Sequence, residues 1–158
     1  MRVAICPGSF DPVTIGHVDI IKRASALFDR VVVTVLINKE KNTAFSIDER
    51  KALLQKSLKC LHNVEITSYD GLLVEFAKKM SANVVVRGLR AVSDFEYELQ
   101  TALTNKKLYD NIETVFLPSS PENMYISSSL VRQVASFHGD VSSFVPKEII
   151  KDIEKKFM

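Results

Sequence analysis

The chain comprises 158 residues, of which 46% are hydrophobic and 25% are charged, and its formal net charge is +2. This length suits one domain with a sizeable core, and no stretch approaches the roughly 20 apolar residues that a membrane span requires. The net charge is too small for a nucleic-acid footprint, because proteins that bind the phosphate backbone concentrate many Lys and Arg residues on one face. We therefore expect one water-soluble domain, residues 1–158, with no nucleic-acid or membrane partner and with a small anion as its ligand.

The two cysteines and three histidines are scattered along the chain, at Cys6, Cys60, His17, His62 and His138. Neither redox spacing nor zinc-ligand spacing is present, which predicts reduced thiols and no structural metal. The N-terminal segment has one basic residue and an apolar run that Pro7 interrupts early. Such a run is too short for the core of a secretory signal, so the sequence predicts a cytoplasmic protein.

Apolar, β-branched runs predict five short strands, at residues 3–5, 31–37, 64–67, 84–86 and 114–117. Amphipathic segments at helical spacing lie between them. Two helix faces stand out, one formed by His17, Ile21, Ala24 and Phe28 and the other by Ile47, Leu54, Leu58 and Leu61. Because strand and helix alternate, we predict a single-domain α/β fold in which right-handed crossovers join parallel strands into a doubly wound sheet.

Local signals mark three helix starts. Residues 46–49 and 93–96 are typical of capping boxes, in which a serine and a glutamate satisfy free backbone donors. Pro146 is predicted at the first position of the last helix. In a doubly wound sheet the ligand binds beyond the carboxyl ends of the strands, where the strand order reverses. The segments that directly follow the strands are therefore the candidate binding segments.

The segment after the first strand, residues 7–17, is rich in turn residues and leads directly into a helix. The glycines of the chain are too widely spaced for a dinucleotide-oxidoreductase or P-loop motif. His17 lies at the N-terminus of the predicted helix, where backbone N–H groups and the helix dipole favour phosphate, and an imidazole N–H could join them. A histidine that merely caps the helix is the alternative, but the surrounding loop favours the phosphate role.

Two arginines lie at the end of the fourth strand. Arg87 and Arg90 are three residues apart, and the glycine between them allows close backbone approach. Two fixed cations suit a polyphosphate, whereas two solvated arginines are the alternative. Farther on, Glu98 could accept a ribose hydroxyl, although Asp94, Glu96 and Glu98 serve equally well as favourable charges near a helix N-terminus.

Three serines, at residues 127–129, open another predicted helix after the fifth strand. Hydroxyls and free backbone donors meet there. One serine would be an ordinary N-cap, whereas three in succession, followed by Arg132, favour a binding site. Lys41, after the second strand, could supply a further cation, but Lys39 is close by and a solvated loop is the default for both lysines.

Two pairs of motifs resemble known families. Residues 14–17, Thr-Ile-Gly-His, and residues 126–129, Ile-Ser-Ser-Ser, resemble the two signatures of the nucleotidyltransferase superfamily. Residues 7–12 and 87–98 resemble segments of the bacterial phosphopantetheine adenylyltransferase family, in the same order and spacing. The resemblance covers essentially the whole chain, and it implies a Rossmann-like nucleotidyltransferase fold.

The resemblance implies a reaction as well. ATP and 4'-phosphopantetheine would give dephospho-coenzyme A and pyrophosphate, a step of coenzyme A biosynthesis. The family uses Mg²⁺ with ATP and is usually a homohexamer, and coenzyme A is a further implied ligand through feedback. The Mg²⁺ ion would be held largely by ATP phosphates and water, with no protein metal ligand assigned.

The resemblance further implies site residues. Ser9, Lys41, Leu73 and Arg87 match acceptor-binding positions. The positions that match ATP-binding ones are Ser9, Phe10, His17, Gly88, Leu89, Arg90, Glu98, Asn123, Met124, Tyr125, Ile126, Ser127, Ser128 and Ser129. The catalytic residues implied are His17, as a transition-state stabiliser, with Lys41 and Arg90.

Three positions depart from common versions of the family: Ser9 is often threonine there, Ile15 asparagine and Thr43 proline. Serine keeps the hydroxyl group, so we expect the chemistry to survive. A loop without the proline is less constrained, which affects the placement of Lys41 more than any other predicted site residue.

The expected mechanism is direct in-line attack of the acceptor phosphate on the α-phosphorus of ATP. No separate base is needed, because a phosphate nucleophile is already ionised near neutral pH. One alternative is a nucleotidyltransferase that acts on nicotinamide mononucleotide or uses CTP with a small phosphorylated alcohol, and residues 87–98 argue against both. The other alternative is a non-catalytic adenine-nucleotide sensor, which pyrophosphate release would distinguish from an enzyme.

Overall fold

The computed structural model describes residues 1–37 and 42–158, with the backbone alone at positions 92 and 93. The strands are β1 (Val3–Gly8), β2 (Arg30–Leu36), β3 (Val64–Tyr69), β4 (Val84–Leu89) and β5 (Glu113–Pro118). The α-helices are α1 (Ile15–Leu27), α2 (Ile47–Leu58), α3 (Leu73–Lys79), α4 (Val92–Leu108), α5 (Ser128–Ser136) and α6 (Ile150–Phe157). Two short 3-10 helices occupy Pro121–Asn123 and Lys147–Ile149. None of the described helices is long and apolar enough to cross a lipid bilayer.

The five strands form one parallel sheet in the order β3-β2-β1-β4-β5, which confirms the predicted doubly wound α/β fold. The central strand β1 pairs with β2 on one side and with β4 on the other. The chain therefore winds outward in opposite directions from β1. Its switch point lies between β1 and β4, so a ligand site is expected at the carboxyl ends of these two strands.

Helices cover both faces of the sheet, and each face has its own core. The larger core includes Ala4, Val33, Leu54 and Ile149, and the smaller one includes Ile5. Burial on both faces explains why β1 and β2 are almost uninterrupted apolar runs rather than alternating ones. All five strand predictions are confirmed.

The helix starts agree with the sequence in part. The capping box at 46–49 is confirmed, since the Ser46 hydroxyl accepts from the Glu49 amide and the Glu49 carboxylate accepts from the Ser46 amide. The capping box predicted at 93–96 is wrong. Helix α4 begins earlier, at Val92, because the carbonyl of Ala91 already accepts the first helical hydrogen bonds, and Ala91 provides no side-chain cap.

Three residues predicted on helices lie outside the regular helix. Pro146 is not the first residue of an α-helix, because its carbonyl closes a tighter turn by accepting from the amide of Ile149, and α6 begins only at Ile150. Leu61 follows the end of α2 at Leu58 but still packs against the larger core. Phe28 is the residue after α1, and its amide donates to the carbonyl of Ala24.

Candidate active site

A cleft of about 640 Å³ opens at the carboxyl edge of the sheet, at the switch point between β1 and β4. It is bounded by the segment after β1, the end of β4, the first turns of α4 and the start of α5. The predicted site residues that line it are Ser9, Phe10, His17, Arg87, Gly88, Arg90, Glu98, Asn123, Ile126, Ser127, Ser128 and Ser129. The cleft therefore brings together segments that are up to 120 residues apart in the chain.

A second cavity of about 260 Å³ adjoins the cleft. The two cavities share Ser9, Arg87, Tyr97 and Glu98 in their walls. The smaller cavity continues between β4, α3 and α4, where its lining includes Leu36, Leu73, Val85, Thr101, Ala102 and Asn105. Leu73 therefore lies apart from the main cleft, on the far side of Arg87. A ligand that fills both cavities would contact this shared wall, to which Arg87 contributes.

Among the described residues, four predicted site residues lie outside the walls of the main cleft, namely Leu73 in the smaller cavity and three others. Leu89, Met124 and Tyr125 are absent from both cavity linings, although each is next in sequence to a lining residue. Met124 and Tyr125 are largely exposed. Lys41 falls outside the described residues, so its role stays a prediction.

His17 is fixed by the residue that caps its helix. The amide of Thr14 donates to Nδ1 of His17 at 3.0 Å, and the His17 amide donates to the Thr14 hydroxyl at 3.3 Å. Because Nδ1 accepts a hydrogen bond from a backbone N–H, the proton of the neutral ring lies on Nε2. His17 therefore does cap its helix, but the cap uses Nδ1 and leaves Nε2 on the opposite side of the ring, so the phosphate role stays a prediction.

The imidazole of His17 is held in its neutral form. Burial, followed by the positive charges of Arg90 and Arg87, lowers the pKa of His17 from 6.5 to about 4. The ring of Phe10 packs edge-on against the imidazole, with the ring centroids 5.2 Å apart. Gly8 is required for this packing, because a Cβ at position 8 would lie 2.8 Å from the Phe10 ring. At neutral pH the ring can therefore donate a hydrogen bond through Nε2 but carries no charge.

The depressed pKa of His17 predicts a pH-dependent stability. Between the lowered native pKa and the ordinary value of the unfolded chain, the unfolded state binds more protons, so the free energy of unfolding rises with pH in this window. Between about pH 5 and pH 7 we expect wild type to gain roughly 2 kcal/mol more stability than His17→Gln. Urea titrations of both proteins at the two pH values measure this difference. Equal gains would contradict the buried neutral imidazole.

Arg87 and Glu98 form a two-pronged ion pair between the two cavities. Nε of Arg87 donates to Oε2 of Glu98 at 2.7 Å, and Nη2 donates to Oε1 at 2.5 Å. Nη1 of Arg87 also donates to the carbonyl of Pro7 at 2.6 Å. Arg87 is therefore not a solvated strand-end arginine. Glu98 lies in the second turn of α4, with Asp94 in the first, so its charge acts on Arg87 rather than on the helix terminus.

Arg90 connects α4 to the segment before α5. Its Nε donates to Asp94 at 3.0 Å, and its Nη1 donates to the carbonyl of Ile126 at 3.2 Å. The side chain keeps 41% of its surface exposed. Since Arg90 also lines the cleft and lowers the pKa of His17, it is a partly free cation on the same side of the site as the imidazole.

The three serines of the α5 start have different partners. The hydroxyl of Ser127 caps the helix by accepting from the amide of Leu130 at 3.1 Å. Ser128 donates its hydroxyl to the carbonyl of Pro12 at 2.7 Å, and the Ser129 hydroxyl accepts from Arg132 at 3.3 Å. The ordinary N-cap is thus confirmed for Ser127 alone. All three serines line the cleft, where amides at a helix start lack acceptors within the helix.

Several lining residues have no assignment from the sequence motifs. Asp11, Thr14, Asn42, Thr43 and Tyr97 all border the cleft. Thr14 did have a sequence signal, because threonine is a preferred N-cap residue and Thr14 directly precedes α1. The others depend on contacts between distant segments. Within residues 1–37 and 42–158, no group of three or more His, Cys, Asp or Glu side chains is arranged to hold a metal ion.

The cleft has the features of an anion site. Its walls supply the Arg90 guanidinium, the start of α5 and a neutral imidazole, all of which favour phosphate oxygens. A nucleophile activated by a neighbouring base is not among these features. The arrangement can therefore orient phosphates and stabilise charge that develops on them, which is the kind of catalysis that phosphoryl and nucleotidyl transfer require.

Comparisons with known proteins agree with this chemistry. A family model described as Cytidylyltransferase-like matches residues 5–134. A protein of Clostridium perfringens (strain 13 / Type A) named phosphopantetheine adenylyltransferase is 52% identical over 158 residues, which are 100% of this chain and 96% of that protein. A protein of the same name from Caldanaerobacter subterraneus subsp. tengcongensis is 55% identical over 157 residues, which are 99% of this chain and 98% of that protein.

A solved structure shares the fold. It comes from Vibrio parahaemolyticus, is provisionally named nicotinate-nucleotide adenylyltransferase, and superposes with a TM-score of 0.73. The match covers 97% of this chain and 99% of that chain, at 18% sequence identity. This likeness concerns the fold alone.

Proposed function

The chain belongs to the phosphopantetheine adenylyltransferase family of nucleotidyltransferases, and from this premise we propose that it transfers the adenylyl group of ATP to 4'-phosphopantetheine. The products are dephospho-coenzyme A and pyrophosphate, which makes the reaction a step of coenzyme A biosynthesis. One structural observation supports this choice above others: a polar cleft and a smaller cavity share one guanidinium, that of Arg87, in their walls.

The two cavities suit the two substrates. ATP fits the larger cleft, with its phosphates near His17, Arg90 and the start of α5. The pantetheine arm fits the smaller cavity, where Leu73 offers apolar contact and Asn105 can hydrogen-bond an amide. The acceptor phosphate then lies beside Arg87 and Ser9, at the point where the cavities join. Lys41 is proposed to approach the same phosphate, and Leu89, Met124 and Tyr125 to border the bound nucleotide.

The proposed mechanism is one direct displacement. An oxygen of the acceptor phosphate bonds to the α-phosphorus of ATP while the bond from that phosphorus to the bridging oxygen breaks, and pyrophosphate leaves with the electron pair. His17 donates its Nε2–H to the α-phosphate, where negative charge increases in the transition state. Because Nε2 carries the proton and Nδ1 accepts from the Thr14 amide, the ring offers no free lone pair to attack phosphorus, which supports direct displacement without a covalent intermediate.

We propose that Mg²⁺ accompanies ATP. The described residues gather no set of side-chain carboxylates in the cleft that could coordinate it without the nucleotide. Arg87 already occupies both carboxylate oxygens of Glu98. The ion would therefore bind through phosphate oxygens and water, as Mg²⁺ commonly does, and would neutralise the departing pyrophosphate.

We also propose a homohexamer in the cytoplasm. Helix α4 exposes apolar side chains, among them Leu99, Leu103 and Leu108, which are typical of a protein contact. Both cysteines are free thiols, which suits a reducing compartment. Light scattering on the purified protein measures the subunit number directly.

The proposed reaction is tested by its acceptor. Pyrophosphate release from ATP and Mg²⁺ is measured with 4'-phosphopantetheine, with nicotinamide mononucleotide and, in a separate CTP reaction, with a small phosphorylated alcohol. We expect release with 4'-phosphopantetheine alone, and a product with the mass of dephospho-coenzyme A. Pyrophosphate release with another acceptor would contradict the proposed substrate. No pyrophosphate release in any mixture would favour a nucleotide sensor.

A further inference from the structure

The segment that joins β1 to α1 holds Phe10 in a conformation that bulky side chains rarely adopt. Its φ of 48° lies in the left-handed region, and its side chain is buried against His17. Such a conformation is sterically costly and persists only where neighbouring contacts fix it. The geometry of Phe10 bears on the site, because its ring packs edge-on against the imidazole that Thr14 also holds.

Two arginines from different helices hold the carbonyls on either side of Phe10. Nη1 of Arg50, in α2, donates to the carbonyl of Ser9 at 3.0 Å. Nη1 of Arg132, in α5, donates to the carbonyl of Asp11. Arg50 is 4% exposed, and its Nε also donates to the carbonyl of Ser46 at 3.3 Å, so its guanidinium bridges the cleft segment and the start of α2.

Asp11 supplies the negative charge between these arginines. Its carboxylate accepts from the amide of Ala44 at 3.0 Å and from the amide of Phe45 at 2.9 Å, and it lies 3.4 Å from Nη1 of Arg132. Burial lowers the pKa of Arg50, and the charge of Asp11 opposes that effect. We call Arg50, Asp11 and Arg132 the arginine–aspartate cluster. A buried guanidinium without this counter-charge would be unfavourable, so its members depend on one another.

We propose that Arg50 is a positioning residue for adenylyl transfer, which acts from behind the cleft by fixing the Ser9 carbonyl and so the placement of Phe10 and His17. This proposal rests on the proposed function. Arg50 does not line either cavity, whereas Ser9 lines both. A small misplacement of reacting groups can lower a rate substantially, even when the responsible residue never touches substrate.

The test compares three variants by kcat, by the KM of ATP and by thermal midpoint. Arg50→Met removes the donors and the charge, and Arg50→Lys keeps the charge but cannot bridge two carbonyls as a guanidinium does. Lys56→Met is the matched control, since Lys56 lies on the same helix and pairs with Asp152 at the surface. We expect Arg50→Met to lower kcat about tenfold per folded molecule, with a smaller change in the KM of ATP. Arg50→Lys should recover about threefold, and the control should match wild type.

Two results would overturn the proposal. One is a wild-type kcat in Arg50→Met or, should that variant not fold, in Arg50→Lys. The other is a kcat that falls in both Arg50 variants in proportion to their loss of thermal midpoint, with no recovery of kcat in Arg50→Lys. Failure of the proposed function shows itself differently, as an absence of release by wild type with 4'-phosphopantetheine. In that case the pKa of His17 is measured by NMR in wild type and in Arg50→Met, because a displaced imidazole loses the burial that lowers its pKa. An unchanged pKa would reject the role of Arg50 in placing the ring.

Discussion

Replacing His17 by alanine should lower kcat by on the order of a hundredfold, equivalent to about 3 kcal/mol of transition-state stabilisation, as removal of one oxyanion donor does elsewhere. The imidazole is neutral and carries its proton on Nε2, so its proposed contribution is a hydrogen bond to charge that grows on the α-phosphate. The KM of ATP should change little, because the interaction strengthens only in the transition state. Steady-state pyrophosphate release, measured over a range of ATP concentrations at saturating acceptor, gives both constants.

His17→Gln is the matched variant. The glutamine amide can place an N–H near the position of Nε2, so it should recover part of the rate that alanine loses. A fully active His17→Ala would refute the role of the imidazole. A covalent adenylyl-histidine, trapped with labelled ATP, would refute direct displacement altogether.

Replacing Arg87 by methionine should affect both the acceptor and the fold. Loss of the guanidinium at the junction of the cavities should lower kcat/KM for 4'-phosphopantetheine by on the order of a hundredfold, since charged hydrogen bonds to phosphate are strong. It also leaves the largely buried Glu98 without its two charged donors. The free energy of unfolding should therefore fall by about 2 kcal/mol, less than for a fully buried pair because the Arg87 side chain is 28% exposed.

A double variant separates these two effects. Arg87→Met with Glu98→Gln removes the unpaired charge, so urea titration should show most of the lost stability restored. The kcat/KM for the acceptor should stay low, because the guanidinium is still absent. Recovery of acceptor kinetics together with stability would mean that Arg87 serves the fold alone, and would contradict its proposed contact with the acceptor phosphate.

The sheet could be predicted from the sequence, because its central strands β1 and β2 are covered on both faces and are therefore nearly continuous apolar runs. Helix α3 was not individually predicted, since its seven residues, Leu73–Lys79, span only two turns and show no clear period. The predicted capping box at 93–96 failed for a different reason. Its serine and glutamate have the right spacing, but the carbonyl of Ala91 starts the helix before them, and a backbone acceptor leaves no sequence signal.

The site residues that directly follow a strand or begin a helix could be predicted from the sequence. His17, the Arg87 and Arg90 pair and the serines of α5 all reach the cleft for this reason. Hydrogen bonds between residues far apart in the chain could not be predicted from the sequence. Nothing local to Arg50 indicates that it donates to Ser9, which is 41 residues away in the chain, and nothing near Asp11 indicates that it accepts from Ala44 and Phe45. Such partners are fixed only when the loops after β1 and β2 meet.

The reversal of strand order at β1 has a consequence for how the chain and its nucleotide affect one another. The walls of the cleft come in part from the segment after β1 and in part from β4 and the start of α5, so neither half of the sheet contains the proposed nucleotide site by itself. A partly folded chain in which β4 and α5 have not formed therefore lacks part of the proposed nucleotide site. Nucleotide therefore stabilises only the complete fold, by mass action, and withdraws population from every incomplete one.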